Sequence, residues 1–169
     1  FSISSIQSGY VMTYVRAGKT KDKDVVVIAR SNDLYSWVVK SEMPRGDSER
    51  SVMFYDKKYE SFILYRDGLF IKNQITKTLT VWKEKPCLIF TSRHGMFDSD
   101  RISVIGGLET QDGLFLIYDA SVNKNSQHLL QLGGVLFDKE NSRRIIWRSE
   151  APLWQGMIEM KGKTSSVVP

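Results

Sequence analysis

The side chains in this sequence that could do chemistry are mostly arginines, carboxylates and aromatics. Arg66 closes the apolar run SFILYR just before Asp67-Gly68. Its planar guanidinium could fork onto a carboxylate or onto paired hydroxyls, or it could simply serve a turn. Arg93 and His94, in TSRHG, could line the mouth of a site, with His94 as a proton carrier near neutral pH, or could stand exposed without a task. Asp98 and Arg101, in MFDSDR, could hold a polar ligand or form a solvated loop salt bridge of small energetic value. Phe97, Tyr118 and Trp154 offer ring faces that suit the C–H side of a sugar ring, although Tyr118 suits core packing better. Cys87, between Pro86 and Leu88, reads as a small buried hydrophobe rather than a nucleophile. It is the sole cysteine, so no internal disulfide can form. With only His94 and His128 beside it, no Cys/His metal site can be assembled, and no cofactor is implied.

These residues must be held by some scaffold, and 169 residues with 41% apolar and 25% charged content fit one ordinary soluble domain. The longest apolar runs, VVVIA and LFLIY, are of strand length, far short of the roughly 20 residues of a membrane-spanning helix, so no membrane segment is expected. The net charge of +5 is spread through mixed stretches such as KTKDKD and DKENSRR, with no recognisable nucleic-acid motif, so a solvated surface is favoured over a nucleic-acid site. From Phe1 onward there is no basic-then-apolar stretch, so no signal peptide is expected within these residues, whether one was removed or never present. The compartment is open, with a slight lean to the cytoplasm from the single cysteine.

Helical periodicity is nearly absent. Short runs rich in Val, Ile, Phe, Tyr and Trp recur instead: YVMTYV, DVVVIAR, SVMFYD, SFILYR, LTVWKE, LFLIYD, GGVLFD and RIIWRS. Turn-forming stretches such as RGDSE, YDKKYE, TQDG and DKENS separate them. The chain therefore reads as all-β. Within RISVIGGLETQDGLFLIYDAS a hairpin should turn at Asp112-Gly113, with a bulge or close approach near Gly106 and Gly107. Tyr14, Tyr65 and Tyr118 each close an apolar strand about 50 residues apart, and SNDLYSW and TKTLTVW repeat one small pattern of hydroxyl, Leu and Trp. Four strands per repeat of that length describe a propeller blade; a β-sandwich is the alternative. The expected units are about 1–47, 48–98 and 99–169, three blades of a fold that closes with four to eight. Trp37, Trp82 and Trp147 should pack between blades, and the Leu-Trp pattern should mark the turn into each outer strand.

The stretch DRISVIGGLETQDGLFLIYDAS, followed by LQLGGVLFDKENSRRIIWRSEAPLW, resembles the C-terminal half of glycoside hydrolase family 130. Thr110, Gly113, Tyr118, Gly133, Leu136, Asp138, Arg148, Ser149 and Pro152 stand in that family's order. ERSVMFYDKKYESFILYR and SNDLYSW resemble its upstream strands and turn. The resemblance implies a five-bladed propeller that phosphorolyses or hydrolyses β-mannosides, with an oligosaccharide as substrate. It also implies that about two further blades, in cis or from a partner chain, complete the molecule, because the family's Gly-x-Glu-Asp-Pro-Arg segment with its general acid is absent from these residues.

Where the family's phosphorylases hold phosphate with Lys, Arg and His, the resemblance places Glu49, Arg66 and Asp119. Two carboxylates there should repel a phosphate dianion. Hydrolysis is thus expected over phosphorolysis, with Glu49 and Asp119 as candidate catalytic carboxylates and an inverting geometry if one acts as base opposite the acid. Arg101 occupies a family Lys position and Asp98 stands near that lysine's acidic partner. Arg50 falls where the family has an Asp, which motivates the alternative of a non-catalytic carbohydrate-binding or assembly propeller.

Overall fold

A computed structural model describes the chain apart from residues 7, 18–23, 46–49, 57, 67–70, 83–86, 125–126, 162–163 and 169, and gives backbone alone for 72, 121–124, 127–128, 157–161 and 164–168. Every described regular element is a strand, and together they make the all-β, partial propeller expected. The chain divides into two compact units, Phe1–Ile89 and Phe90–Pro169.

The first unit holds two sheets in which strand order follows chain order. One is β1 (Ser2–Ile6), β2 (Gly9–Arg16), β3 (Val25–Ser31) and β4 (Val38–Pro44); the other is β5 (Ser51–Asp56), β6 (Ser61–Arg66), β7 (Ile71–Thr76) and β8 (Cys87–Phe90), whose last residue crosses the division. Each sheet fills from its middle, where VVVIA in β3 and FILYR in β6 supply side chains that suit a pleated surface buried on both faces. The two sheets meet through both apolar and polar contacts. Val11, Ile28, Met53, Leu64 and Leu79 form one buried cluster, with Ile6, Met43, Phe62 and Trp82 packed against it. The serines of SISSI reach across: Ser2 Oγ donates to Ser51 O at 3.0 Å, Ser4 Oγ donates to Met53 O, and Thr13 Oγ1 donates to Ser51 O at 3.1 Å. Hydroxyls on β1 and β2 thus satisfy carbonyls that the β5 ladder leaves open.

The Leu-Trp repeat is a tethered turn. Ser31 Oγ accepts from the amides of Asp33 (3.1 Å) and Leu34 (2.9 Å), Leu34 takes a positive φ of 68°, and Trp37 Nε1 donates back to Leu34 O at 3.0 Å. The second copy repeats this with Thr76 Oγ1 accepting from Thr78 N at 3.2 Å and Trp82 Nε1 donating to Leu79 O at 3.3 Å. TVW in LTVWKE is therefore turn and not strand, and IKNQIT supplies the strand before it. Trp82 packs in the inter-sheet cluster as expected, but Trp147 is 45% exposed and stacks on Phe115. Cys87 is half-exposed rather than buried, because β8 is an outer strand. Tyr14 differs from Tyr65 and Tyr118: it is half-buried because Val11 and Thr13 take the inner face of β2.

The second unit is one sheet: β9 (Arg101–Glu109), β10 (Gly113–Lys124), β11 (Gln127–Asp138), β12 (Ile145–Arg148), β13 (Trp154–Lys161) and β14 (Thr164–Val168), ordered β14-β13-β11-β10-β9 with β12 also on β11. The β9–β10 hairpin turns where expected. Thr110 N donates to Gly113 O at 2.7 Å, and Gly113, at φ 147°, sits where a Cβ would lie 1.9 Å from Phe137 O. The register slips beside Gly106, where Val104 pairs Tyr118 and Gly106 pairs Ile117. The outer edge departs from the expected single strand. β12 and β13 share the long β11, and between them Ser149 N donates to Gly134 O and Leu153 N to Leu132 O, so Glu150–Pro152 bulges outward without breaking the edge.

Candidate functional site

Adjacent residues of a strand face opposite ways, and Tyr118 and Asp119 use this to start two different environments on β10. On the Tyr118 side lies a buried ionic cluster. Asp98 is wholly buried; its Oδ2 accepts from Tyr118 Oη at 2.8 Å and from Arg148 Nη2 at 2.5 Å, and Arg93 Nε lies 3.0 and 3.1 Å from its two oxygens. Both arginines then reach backbone: Arg93 Nη2 donates to Ser149 O at 2.6 Å, and Arg148 Nη2 to Thr91 O at 2.8 Å. Rings complete the cage. Arg148 lies 4.6 Å from the Phe90 centroid, Arg93 lies 5.7 Å from that of Phe97, and Phe97 stacks on Tyr118. Ser149 Oγ accepts from Gly134 N at 3.0 Å.

Burial alone would raise the pKa of Asp98. Hydrogen bonds from Arg93 and Tyr118 and the charges of Arg148 and Arg93 overcome it and hold the carboxyl below its ordinary range. Burial likewise pushes the Tyr118 phenol up, opposed by Arg148 and aided by its bond to Asp98. The cluster therefore stays charged, with a neutral phenol donating into it. Its chemistry is to lock the 91–100 loop to β10 and β12.

The Asp119 side is more open. Ser103, Asp119, Leu132 and Trp154 are paired in turn across β9, β10, β11 and β13, so they share one face. Arg101 pairs Ser121 and lies on that face one pair along from Asp119. Asp119 is half-buried, Arg101 exposed and Trp154 38% exposed, the indole lying over Gly156, where a Cβ would meet it at 2.3 Å. Two strand steps of about 4.8 Å put the carboxylate about 10 Å from the indole strand. A carboxylate, a guanidinium and an exposed indole on one face form a set that can hold a polar ring by its hydroxyls and its C–H side.

The structure thus sorts the residues singled out by sequence. Arg93, Asp98, Phe97 and Tyr118 come together, joined by Arg148, which the sequence marks only through the family pattern. Asp98, expected either to hold a polar ligand or to form a solvated loop salt bridge near Arg101, is buried between Arg93 and Arg148. Arg101 and Asp119 come together on the opposite face. His94 stands exposed. Arg66, in the first unit, donates through Nη2 to Pro44 O at 2.8 Å and Arg45 O at 2.6 Å, fastening the end of β4. Glu49 lies outside the described residues. The aspartate between two arginines had one sequence signal, the pairing of MFDSDR with IIWRS, which spacing alone does not reveal.

A scan of protein-family models finds no match to the chain. A sequence relative, the 1,2-β-oligomannan phosphorylase of Thermoanaerobacter sp., is 27% identical over 98% of this chain and 56% of its own length. Among solved structures, the β-1,2-mannobiose phosphorylase of Listeria innocua, in complex with β-1,2-mannobiose, aligns with a TM-score of 0.77 at 13% identity over 98% of this chain and 52% of its own. A structure from work on the GH130 family of mannoside phosphorylases, which contains glycoside hydrolases that target β-1,2 mannosidic linkages in Candida mannan, aligns with a TM-score of 0.71 at 19% identity over 90% of this chain and 51% of its own. A glycosyl hydrolase from Bacteroides ovatus gives 0.70 at 17% identity over 90% of this chain and 51% of its own. The chain spans about half the length of the relatives it matches. The sequence relative and the solved neighbours agree with the resemblance to glycoside hydrolase family 130, the mannoside phosphorylase family.

Proposed function

We propose that the protein to which this chain contributes cleaves β-1,2-linked mannosides, and that it does so with water rather than phosphate. The linkage follows the relatives, three of which are named for β-1,2 or 1,2-β mannoside chemistry. The choice of water rests above all on Asp119. A carboxylate stands there where the family resemblance places a phosphate-holding histidine, and it shares its face with Arg101 and Trp154.

In this reading Asp119 supplies the carboxylate that draws a proton from water, Glu49 being the second candidate, while Arg101 and Trp154 hold the sugar. Arg66 supports the same choice, since its Nη2 is engaged by two backbone carbonyls. Arg93, Asp98, Phe97 and Tyr118 hold the wall behind β10, and His94 lies at the rim. The acid that protonates the leaving oxygen comes from blades in the half of the relatives' length that this chain does not span. Inversion requires that acid about 6.5 to 9.5 Å from the base.

Replacing Asp119→Asn in the complete protein is expected to lower kcat by about 10²- to 10⁴-fold, the usual worth of a positioned base, with KM little changed. An unchanged kcat removes Asp119 from the chemistry. Arg50, exposed where the resemblance places an acid, favours a second reading in which the scaffold binds glycan without turning it over. Calorimetry separates the two: saturable mannoside binding with no product supports binding alone.

A further inference from the structure

The tethered turn between β3 and β4 does more than connect two strands. A cavity of about 320 Å³ opens beside it, lined by Arg30, Asn32, Asp33, Ser36, Val38 and Lys40. Part of its lining is occupied by the turn itself: Asp33 Oδ1 accepts from the amides of Tyr35 (2.9 Å) and Ser36 (2.8 Å), and Ser31 Oγ lies 3.0 Å from the same oxygen. Arg30 Nη2 donates to Ser8 O and Oγ, which fixes the guanidinium plane. Arg30 Nε, by contrast, is buried and has no hydrogen-bond partner among the described residues. Asn32, Asp33, Ser36 and Lys40 line the cavity together with Arg30.

We propose that this pocket is a second carbohydrate-binding site, taking one pyranose of an oligosaccharide by its vicinal hydroxyls. The lining mixes donors (Arg30, Lys40), an acceptor (Asp33) and groups that do both (Asn32, Ser36), which is what a diol needs. A phosphate or carboxylate would meet the Asp33 carboxylate, which the Ser36 and Tyr35 amides and the Ser31 hydroxyl keep ionised. Val38, 57% exposed, offers an apolar patch for ring C–H groups, and Tyr35, 91% exposed in the same turn, offers a ring to the neighbouring sugar. That the sugar is mannose rests on the proposed function; the pocket does not.

The test uses the complete protein and its Tyr35→Ala and Lys40→Ala variants, both changes at exposed positions that leave the core alone. Calorimetry with β-1,2-oligomannan should show two independent sites in the unaltered protein, one of them weakened about tenfold or more in each variant, a loss of about 1.4 kcal/mol. Turnover of β-1,2-mannobiose should be unchanged. Identical oligomannan binding in all three proteins, or a single site in the unaltered one, overturns the pocket. So does inorganic phosphate that binds the unaltered protein, displaces oligomannan and fails to bind the variants, since that marks an anion site. If mannobiose is not cleaved yet the variants lose a site, the function falls and the pocket stands; normal cleavage with unaltered binding gives the reverse.

Discussion

Asp98 accepts from two guanidiniums and a phenol while wholly buried, so its worth is the cost of leaving two cations unmatched. Asp98→Ala is expected to destabilise the protein by about 3–5 kcal/mol, measured by urea unfolding, because removing one partner strands the others. Arg101→Ala, at an exposed position, should stay within about 0.5 kcal/mol. The pH dependence follows from the same contacts. The folded-state pKa of Asp98 lies below its ordinary 3.8, so on acidification the unfolded chain takes up the proton first. That stability is present above about pH 4 and lost as pH falls through the lowered pKa. For Tyr118, raised from 10.0, the stability is present below that value and lost as pH rises through the higher one. Stability scans should therefore show an acid limb that flattens in Asp98→Asn and an alkaline limb that flattens in Tyr118→Phe.

At the scale of elements, close packing behind β10 makes a second prediction. A Cβ at Gly133 would sit 2.3 Å from Tyr118 Cζ. Gly133→Ala should push the phenol off Asp98 and cost about 1–3 kcal/mol, visible as a lower urea midpoint. Trp82→Phe keeps the ring but loses the Nε1 bonds to Ser41 Oγ and Leu79 O, and should cost about 1 kcal/mol. Much of this scale was readable beforehand, since alternation and β-branched runs located β2, β3, β5, β6 and β10, and Asp112-Gly113 located the hairpin. What was not readable has physical causes. IKNQIT lacks an apolar run, because Asn73 and Gln74 are polar residues buried inside the sheet. The outer edge of the last sheet is split because Ser149 and Leu153 keep β11's carbonyls satisfied across a bulge that no local pattern announces. Arg148 could not be placed beside Asp98 from spacing 50 residues away.

For the whole molecule, the Tyr118 to Pro152 pattern carried both the fold and the family resemblance, because those residues pack the β10–β12 region: Gly133 admits the phenol, Ser149 caps Gly134, and Arg148 closes on Asp98. The chemistry was less legible. Of the side chains offered as ligands for substrate, Arg93, Asp98, Phe97 and Tyr118 gather behind β10, while Asp119, Arg101 and Trp154 share its more open face. What a carboxylate at Asp119 does to the nucleophile therefore decides between water and phosphate. The direct measurement is product analysis of the complete protein on β-1,2-mannobiose with and without inorganic phosphate. Free mannose as sole product, formed at the same rate in both, is the predicted result; mannose 1-phosphate formed only when phosphate is present would contradict it.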